Sequence, residues 1–250
     1  MQVIIFGGAG LIGAEFSRVL ASQGNLVLIA DINHQAAMDL ASSISSSGAK
    51  AFGFQVDITS SSSVRKLIDE IQVCHGKVDA IVNCSYPRGN NYGVKFERVQ
   101  YNDFCDSLSK HLGGFFLVSQ IFAEEFKRQG GGCIVNVASI YGFLVPRFKI
   151  YEGLEMTVPI EYSLIKAGVI QLTKYIAQYY KGSRVRCNAL LPGGVLDGQP
   201  EIFLRRYEEF CSGKGMLFPS DLNGSLLYLL SDASKFVNGQ SLVVDDGFSL

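Results

Sequence analysis

The chain has 250 residues, an apolar content of 48% and a formal net charge of −1 at pH 7. This length fits one large α/β domain or two small ones, and the near-zero charge gives no bias toward nucleic acid. The first residues already form a strand that runs into glycines, so we expect no signal peptide. No apolar run approaches the length needed to span a bilayer, so we expect no membrane partner. We expect no nucleic-acid partner either.

The cysteines show neither a C-x-x-C pair nor the spacing of a zinc site, so the sequence predicts no metal. Several of them fall in predicted strands or helices. We therefore expect reduced core residues in a cytoplasmic protein. The six are Cys74, Cys84, Cys105, Cys133, Cys187 and Cys211.

Short apolar runs alternate with helical patterns from one end of the chain to the other. The apolar runs are nearly continuous in Val, Ile, Leu and Ala, which is typical of parallel strands covered on both faces. This β-α-β series predicts one domain over residues 1–250, a Rossmann fold with a three-layer, doubly wound parallel sheet of about seven strands. The predicted strands are residues 2–6, 26–30, 51–55, 79–83, 133–138, 185–190 and 241–245.

A glycine cluster follows the first strand and opens a helix. Gly7, Gly10 and Gly13 allow a tight turn and a close approach of the backbone to a pyrophosphate, with Leu11 and Ile12 between them. The N-terminus of the following helix receives the negative charge. Strand, glycines and helix in this order predict a dinucleotide-binding loop.

Two aspartates follow the next strands. Asp31 ends the second strand, 18 residues after Gly13, where a carboxylate accepts from ribose hydroxyls and repels a 2′-phosphate. This position favours NAD over NADP, and the alternative is a helix N-cap before Asn33. Asp57 and Ile58, after the third strand, are candidate adenine contacts, although an ordinary cap or turn explains Asp57 equally well.

Tyr162 and Lys166 are four positions apart, which places both side chains on one face of a helix. A fixed ammonium beside a phenol favours the phenolate, so Tyr162 is a candidate general acid/base. Such a pair alone is more often a surface helix pair. Ser139, which closes a buried strand upstream, and the glycine loop favour the catalytic interpretation.

Taken in order, these motifs resemble the short-chain dehydrogenase/reductase family along essentially the whole chain. The tail and the long segment before Tyr162 also resemble the branch found in bacterial flagellin modification and surface-sugar synthesis. Further family motifs are Val137-Ala138-Ser139, residues 188–194 (NALLPGG), Asn238-Gly239-Gln240 and residues 243–247 (VVDDG).

The resemblance implies a role for each motif residue. Tyr162 would exchange a proton with the substrate, Lys166 would hold the nicotinamide ribose and lower the Tyr162 pKa, and Ser139 would donate to the developing oxyanion. It also implies a homodimer or homotetramer formed through the helices at 101–128 and 159–180. The resemblance also implies further contacts to the cofactor. Asn83 would shape the wall beside the cofactor, and Pro192, Gly193 and Val195 would face the nicotinamide.

Three features depart from the family pattern. The 7-10-13 glycine spacing is that of the larger nucleotide-sugar epimerases and dehydratases, whose C-terminal domain this chain lacks. The usual Asn-Asn-Ala-Gly is here Asn83-Cys84-Ser85-Tyr86, so a tyrosine replaces a small residue. His111 takes the place of the asparagine that completes the proton relay. Either it relays a proton with a pKa near neutrality, or it packs and hydrogen-bonds inside a helix kink.

Three variable segments follow strand ends and are expected to surround the substrate. Ser139 and Tyr162 are 23 positions apart, more than in the family, and the added segment 143–161 carries Arg147, Lys149 and Tyr151. Residues 196–216 suggest a lid, and residues 87–92 carry Arg88. We expect these residues to bind substrate, with the three cations converging on one mouth, unless each is an ordinary solvated loop residue.

These features predict an NAD-dependent oxidoreductase that acts on a hydroxyl or ketone of a small polar substrate, a sugar or sugar phosphate in surface-glycan synthesis. The substitutions at 84–86 and 111 motivate one alternative, a catalytically weak NAD-binding protein with a regulatory or assembly role. Another is a redox-neutral sugar epimerase or dehydratase that keeps its NAD bound.

Overall fold

Seven parallel strands form one sheet in the order β3-β2-β1-β4-β5-β6-β7 in the computed structural model, which describes residues 1–89 and 91–250. The predicted single Rossmann domain is confirmed, and the predicted strand ends differ from the observed ones by at most two residues. The strands are β1 Gln2–Phe6, β2 Leu26–Asp31, β3 Lys50–Gln55, β4 Ala80–Asn83, β5 Gly132–Val137, β6 Val185–Pro192 and β7 Ser241–Val244.

Helices connect successive strands and cover both faces of the sheet. Asn33 and Ser60 begin the second and third helices by accepting from the amides of Ala36 and Ser63, at 3.1 and 3.3 Å. No helix among the described residues combines the length and the apolar character needed to cross a membrane. The helices are α1 Leu11–Ser22, α2 His34–Ser45, α3 Ser61–Cys74, α4 Tyr101–Ser107, α5 Gly113–Gln129, α6 Ile160–Tyr179, α7 Glu201–Glu208 and α8 Asn223–Leu230.

The central strands of the sheet are buried on both faces, which explains why they are apolar at nearly every position, whereas the edge strands β3 and β7 are only partly buried. In β1, Ile4 and Phe6 pack into the layer that contains Phe122 of α5, whereas Val3 and Ile5 pack into the opposite layer. All these side chains are fully buried. Packing of the two layers holds the sheet in place, and the sheet in turn positions the carboxyl ends of its strands.

The cysteines correct one expectation from the sequence. All six are free thiols, but only Cys133 and Cys187 are buried, and Cys74 is exposed at the end of α3. Helix amphipathicity explains Cys74, because it follows the buried face formed by Val64, Leu67, Ile68 and Ile71 without belonging to it.

The strand order reverses beside β1, which pairs with β2 on one side and β4 on the other. The connections after β1 and β4 therefore leave toward opposite sides of the sheet. Ligands of doubly wound folds bind in the crevice that this divergence opens at the carboxyl ends of the strands.

Candidate active site

A cleft of about 690 Å³ lies at this switch point. Its walls come from the loops after β1 to β6, together with the segments 143–161 and 196–216. The predicted residues among its lining are Gly7, Gly10, Leu11, Ile12, Gly13, Asp31, Asp57, Ile58, Arg88, Ser139, Tyr151, Tyr162, Lys166, Pro192, Gly193 and Val195.

The glycine loop at one end of the cleft leaves no room for side chains at two positions. A Cβ on Gly13 would lie 2.2 Å from the carbonyl oxygen of Gly7, and one on Gly7 would lie 2.7 Å from Cα of Ser85. Gly7 also has a φ of 67°, which favours glycine. Gly10, by contrast, is exposed and faces open space apart from one contact at 3.3 Å. The loop is therefore a bare backbone cradle at the start of α1, which fits a pyrophosphate.

The Asp31 carboxylate lines the cleft and is held by two backbone amides. Oδ2 accepts from Ala9 of the glycine loop at 3.1 Å, and Oδ1 accepts from Asn33 at 3.0 Å. The N-cap of α2 is Asn33 itself, so Asp31 is not that cap. Its position ties the end of β2 to the cradle.

Asp57 and Ile58 also line the cleft, whereas Asn83 lies behind its wall. Asp57 accepts from the amide and the hydroxyl of Thr59 at 2.8 and 2.7 Å, as a turn residue does. Asn83 is fully buried, and its Oδ1 accepts from the Ser85 amide at 3.3 Å. It shapes the turn that carries the lining residues after β4.

Ser139, Tyr162 and Lys166 meet in the middle of the cleft. Ser139 follows β5, and its Oγ accepts from the Tyr141 amide at 3.2 Å. Tyr162 and Lys166 lie in the first two turns of α6, with the Lys166 ammonium 5.6 Å from the Tyr162 ring centre. Lys166 is buried and donates to the Val137 carbonyl at 3.0 Å. The structure thus brings the three predicted catalytic side chains together.

Burial dominates the titration of this pair. It raises the pKa of Tyr162, against a smaller lowering by the Ser139 hydroxyl, and it lowers the pKa of Lys166 to about 7. The expectation that the Tyr162 pKa is lowered is therefore corrected: burial of the phenol is the dominant cause of the shift, and it raises the pKa. Tyr162 is a protonated phenol near neutral pH.

His111 lies in a π-helical segment, Leu108–Leu112, between α4 and α5. It is fully buried, and neither ring nitrogen has a hydrogen-bond partner among the described residues. Burial, together with Lys166 and Arg88, holds its pKa well below the usual value, which corrects the expected pKa near neutrality. The helix irregularity expected at His111 is present as this π-helical segment. The hydrogen bonds expected for a packing role are absent among the described residues. The ring contacts Tyr86 and Phe115.

The predicted convergence of three cations is wrong. Arg88 and Tyr151 line the cleft, but Lys149 is exposed and Arg147 turns toward the chain end. The Arg147 guanidinium lies 4.6 Å from the Phe210 ring centre and donates to the carbonyls of Phe248 and Leu250 at 3.3 and 3.2 Å. Aromatic faces and backbone acceptors thus hold this cation toward the chain end.

The substrate half of the cleft contains Tyr141, which the sequence did not single out, and Tyr207, which lies in the predicted lid segment. Tyr141 shares a hydroxyl contact of 3.2 Å with Tyr151. Tyr207 accepts from the Gly194 amide at 2.6 Å and stacks on the buried Phe248 ring at 4.2 Å. The four-residue spacing of Phe203 and Tyr207 indicates that both lie on one face of α7. No local signal indicated the tail contact.

The chain resembles known proteins in sequence and in fold. A family model described as "Enoyl-(Acyl carrier protein) reductase" matches residues 8–249. "Post-translational flagellin modification protein A" of Campylobacter coli is 40% identical over 250 residues, covering 99% of this chain and 98% of that protein.

Two solved structures superpose along nearly the whole chain. A short-chain dehydrogenase from Leptospira borgpetersenii with bound NAD+ gives a TM-score of 0.88 at 30% identity, covering 100% of this chain and 92% of the other. A gluconate 5-dehydrogenase from Burkholderia cenocepacia, in complex with NADP and tartrate, gives a TM-score of 0.88 at 26% identity, covering 99% and 94%.

The sheet order, the cradle and the three central side chains define a Rossmann-fold oxidoreductase site. With these matches, the chain belongs to the short-chain dehydrogenase/reductase family.

Proposed function

We propose that the protein is an NAD-dependent oxidoreductase that transfers a hydride between the nicotinamide and a hydroxyl or ketone of a sugar or sugar phosphate. The observation that carries this proposal is the meeting of Ser139, Tyr162 and Lys166 in the same cleft as the glycine cradle. A nicotinamide cofactor supplies or accepts the hydride when it is bound.

The chain's own residues handle the proton and the developing charge. Tyr162 Oη donates its proton to the carbonyl oxygen during reduction and takes it back during oxidation. The raised pKa of Tyr162 keeps this phenol protonated until the reaction begins. Ser139 Oγ is the hydrogen-bond donor to the same oxygen as its charge develops.

We propose that the cofactor binds along the cradle, from Asp31 at the adenosine end to Lys166 and residues 192–195 at the nicotinamide end. Fixed by two amides, the Asp31 carboxylate cannot easily turn away from a 2′-phosphate. It therefore selects NAD. One structural relative carries NAD+ and another NADP, so the selection rests on Asp31 and not on the comparisons.

The substrate proposal follows from the lining of the cleft. Tyr141 and Tyr151 offer rings for the faces of a sugar and hydroxyls for its oxygens, and Arg88 offers one cation for a phosphate. The relative named for flagellin modification and the relative named for gluconate are consistent with a carbohydrate substrate. Segments 143–161 and 196–216 would close over it.

We further propose a cytoplasmic homodimer or homotetramer formed through α4, α5 and α6. These helices expose large apolar side chains that gain from burial in a subunit contact. They are Tyr101, Phe116, Leu164, Tyr175 and Tyr179.

A screen of sugars, sugar phosphates, nucleotide sugars and an apolar ring alcohol, each with NAD and with NADP, tests the proposal through NADH or NADPH absorbance. We expect turnover of a polyhydroxylated substrate with NAD. Turnover of the apolar alcohol alone would contradict the substrate proposal. NAD binding without turnover of any substrate would favour a regulatory role, and NAD that copurifies with the protein would favour a redox-neutral epimerase or dehydratase.

A further inference from the structure

The buried ammonium of Lys166 is surrounded by aromatic rings and has no carboxylate partner among the described residues. Its Nζ lies 5.2 Å from the ring centre of Phe115, 5.6 Å from that of Tyr162 and 5.8 Å from that of Tyr86. All three distances fall within the range of about 6 Å over which a cation is attracted to a ring face. The Val137 carbonyl accepts its single hydrogen bond, at 3.0 Å.

Tyr86 is the member of this group that lies outside the helices. It follows the end of β4 and lines the cleft, where its ring is partly exposed. Its ring packs edge to face on Tyr162 at 5.8 Å and on His111 at 5.0 Å. Its hydroxyl lies 2.8 Å from that of Tyr92, which fixes the far end of the ring.

We propose that Tyr86 is a positioning residue for Lys166: with Phe115 and Tyr162, its ring forms an aromatic cage that holds the buried ammonium beside the catalytic tyrosine. In this cage His111 acts as a packing partner that sets the tilt of the Tyr86 ring. The geometry fits this role, because the His111 ring lies 5.0 Å from that of Tyr86 and 5.5 Å from that of Phe115 and so contacts two of the three rings of the cage.

Other charged and titratable groups lie around the cage, and their effects must be separated from that of Tyr86. The Cys84 thiol, at the end of β4, raises the Lys166 pKa, and burial lowers it. Burial, together with Lys166 and Arg88, lowers the pKa of His111, so that imidazole is neutral and adds no charge near neutral pH. Arg88 stacks on the Tyr86 ring, 4.6 Å from its centre. The effect of Tyr86 on the Lys166 pKa is therefore measured with these groups left unchanged.

Removing the Tyr86 ring has opposite effects under the two explanations of its presence. If the ring attracts the ammonium, its loss lowers the Lys166 pKa. If the ring merely excludes water, its loss admits water and raises that pKa. Tyr86→Leu removes the π face and keeps apolar bulk, whereas Tyr86→Phe keeps the face and removes only the hydroxyl.

The experiment is an NMR titration of the lysine 13Cε signals in the full chain, with Lys166→Met to assign the Lys166 signal. We expect the Lys166 pKa to fall by about 0.4–0.7 unit in Tyr86→Leu, the equivalent of one exposed-site cation–π contact, and to keep its wild-type value in Tyr86→Phe. Tyr92→Phe, which breaks the hydroxyl pair and leaves the three rings, is the matched control with no expected shift. Thermal unfolding confirms that each variant folds, and Tyr86→Met replaces Tyr86→Leu if the latter does not.

An unchanged or raised Lys166 pKa in the folded leucine or methionine variant would overturn the cage. The inference rests on the proposed function only in treating Lys166 as catalytic, and the titration reads the amine without turnover. If the substrate screen fails and the pKa falls as expected, the function is wrong and the cage stands. If a substrate is found, kcat should fall more than KM rises in Tyr86→Leu, with recovery in Tyr86→Phe.

Discussion

Alanine at three glycines separates the folding role of the cradle from its binding role. Gly13, Gly10 and Gly224 all have backbone angles that alanine adopts, so their variants differ only in what the added methyl meets. At Gly13 the methyl meets the Gly7 carbonyl oxygen at 2.2 Å and Gly8 Cα at 2.8 Å. Neither is a flexible side-chain end, so the loop must move.

The size of the effect follows from these contacts. Overpacking against rigid backbone costs about 2–3 kcal/mol, which for a chain of this size lowers Tm by roughly 4–12 °C. Gly10→Ala meets one atom, at 3.3 Å, and projects from the exposed wall of the cleft. We expect it to keep its Tm and to weaken NAD binding by about tenfold, or about 1.4 kcal/mol. Gly224→Ala, on the exposed side of α8 with no atom within 4 Å, should change neither property.

Differential scanning fluorimetry and calorimetric NAD titration of the three variants provide the two readings. The expected pattern is loss of both stability and binding in Gly13→Ala, loss of binding alone in Gly10→Ala, and no loss in Gly224→Ala. Wild-type NAD affinity in Gly10→Ala would refute the claim that the cofactor approaches the loop backbone. A wild-type Tm in Gly13→Ala would refute the packing of the loop itself.

Three further predictions test single contacts. Asp31→Ser should raise kcat/KM for NADP relative to NAD, because it removes a fixed negative charge, and a wild-type preference for NADP would show that the carboxylate only holds the loop. Arg88→Gln should raise KM for a phosphorylated substrate by about tenfold, the low end for an exposed charged contact, whereas Arg147→Gln should leave KM unchanged and lower Tm. Equal KM values in these two variants would contradict the assignment. His111→Leu should stay within about tenfold of wild-type turnover, since a packing residue needs shape; a much larger loss in leucine than in His111→Asn would restore the proton relay.

The strands β1, β2, β4, β5 and β6 were predicted well because they are buried on both faces and are therefore mostly apolar. The edge strands β3 and β7 are only partly buried. Strand β6 extends to Pro192, two residues beyond the prediction, because pairing with Val244 of β7 continues there. Pairing partners lie far apart in the chain, so no local pattern contains this information.

Long-range contacts also explain what the sequence could not predict in the site. The spacing of Tyr162 and Lys166 correctly placed both side chains in the cleft, but the direction of their pKa shifts depends on burial by other elements. Arg147 carries the charge expected of a substrate contact. Its direction is set by Phe210 and Phe248, which lie 63 and 101 residues further along.

The most direct test of catalysis at Tyr162 is the turnover of Tyr162→Phe with NAD and the substrate found by the screen, with an NAD titration of the same variant. General acid–base catalysis contributes about a hundredfold or more, so we expect turnover to fall at least that far while NAD binding is retained. Turnover within about tenfold of wild type, some 1.4 kcal/mol of barrier, would contradict the central role of this phenol.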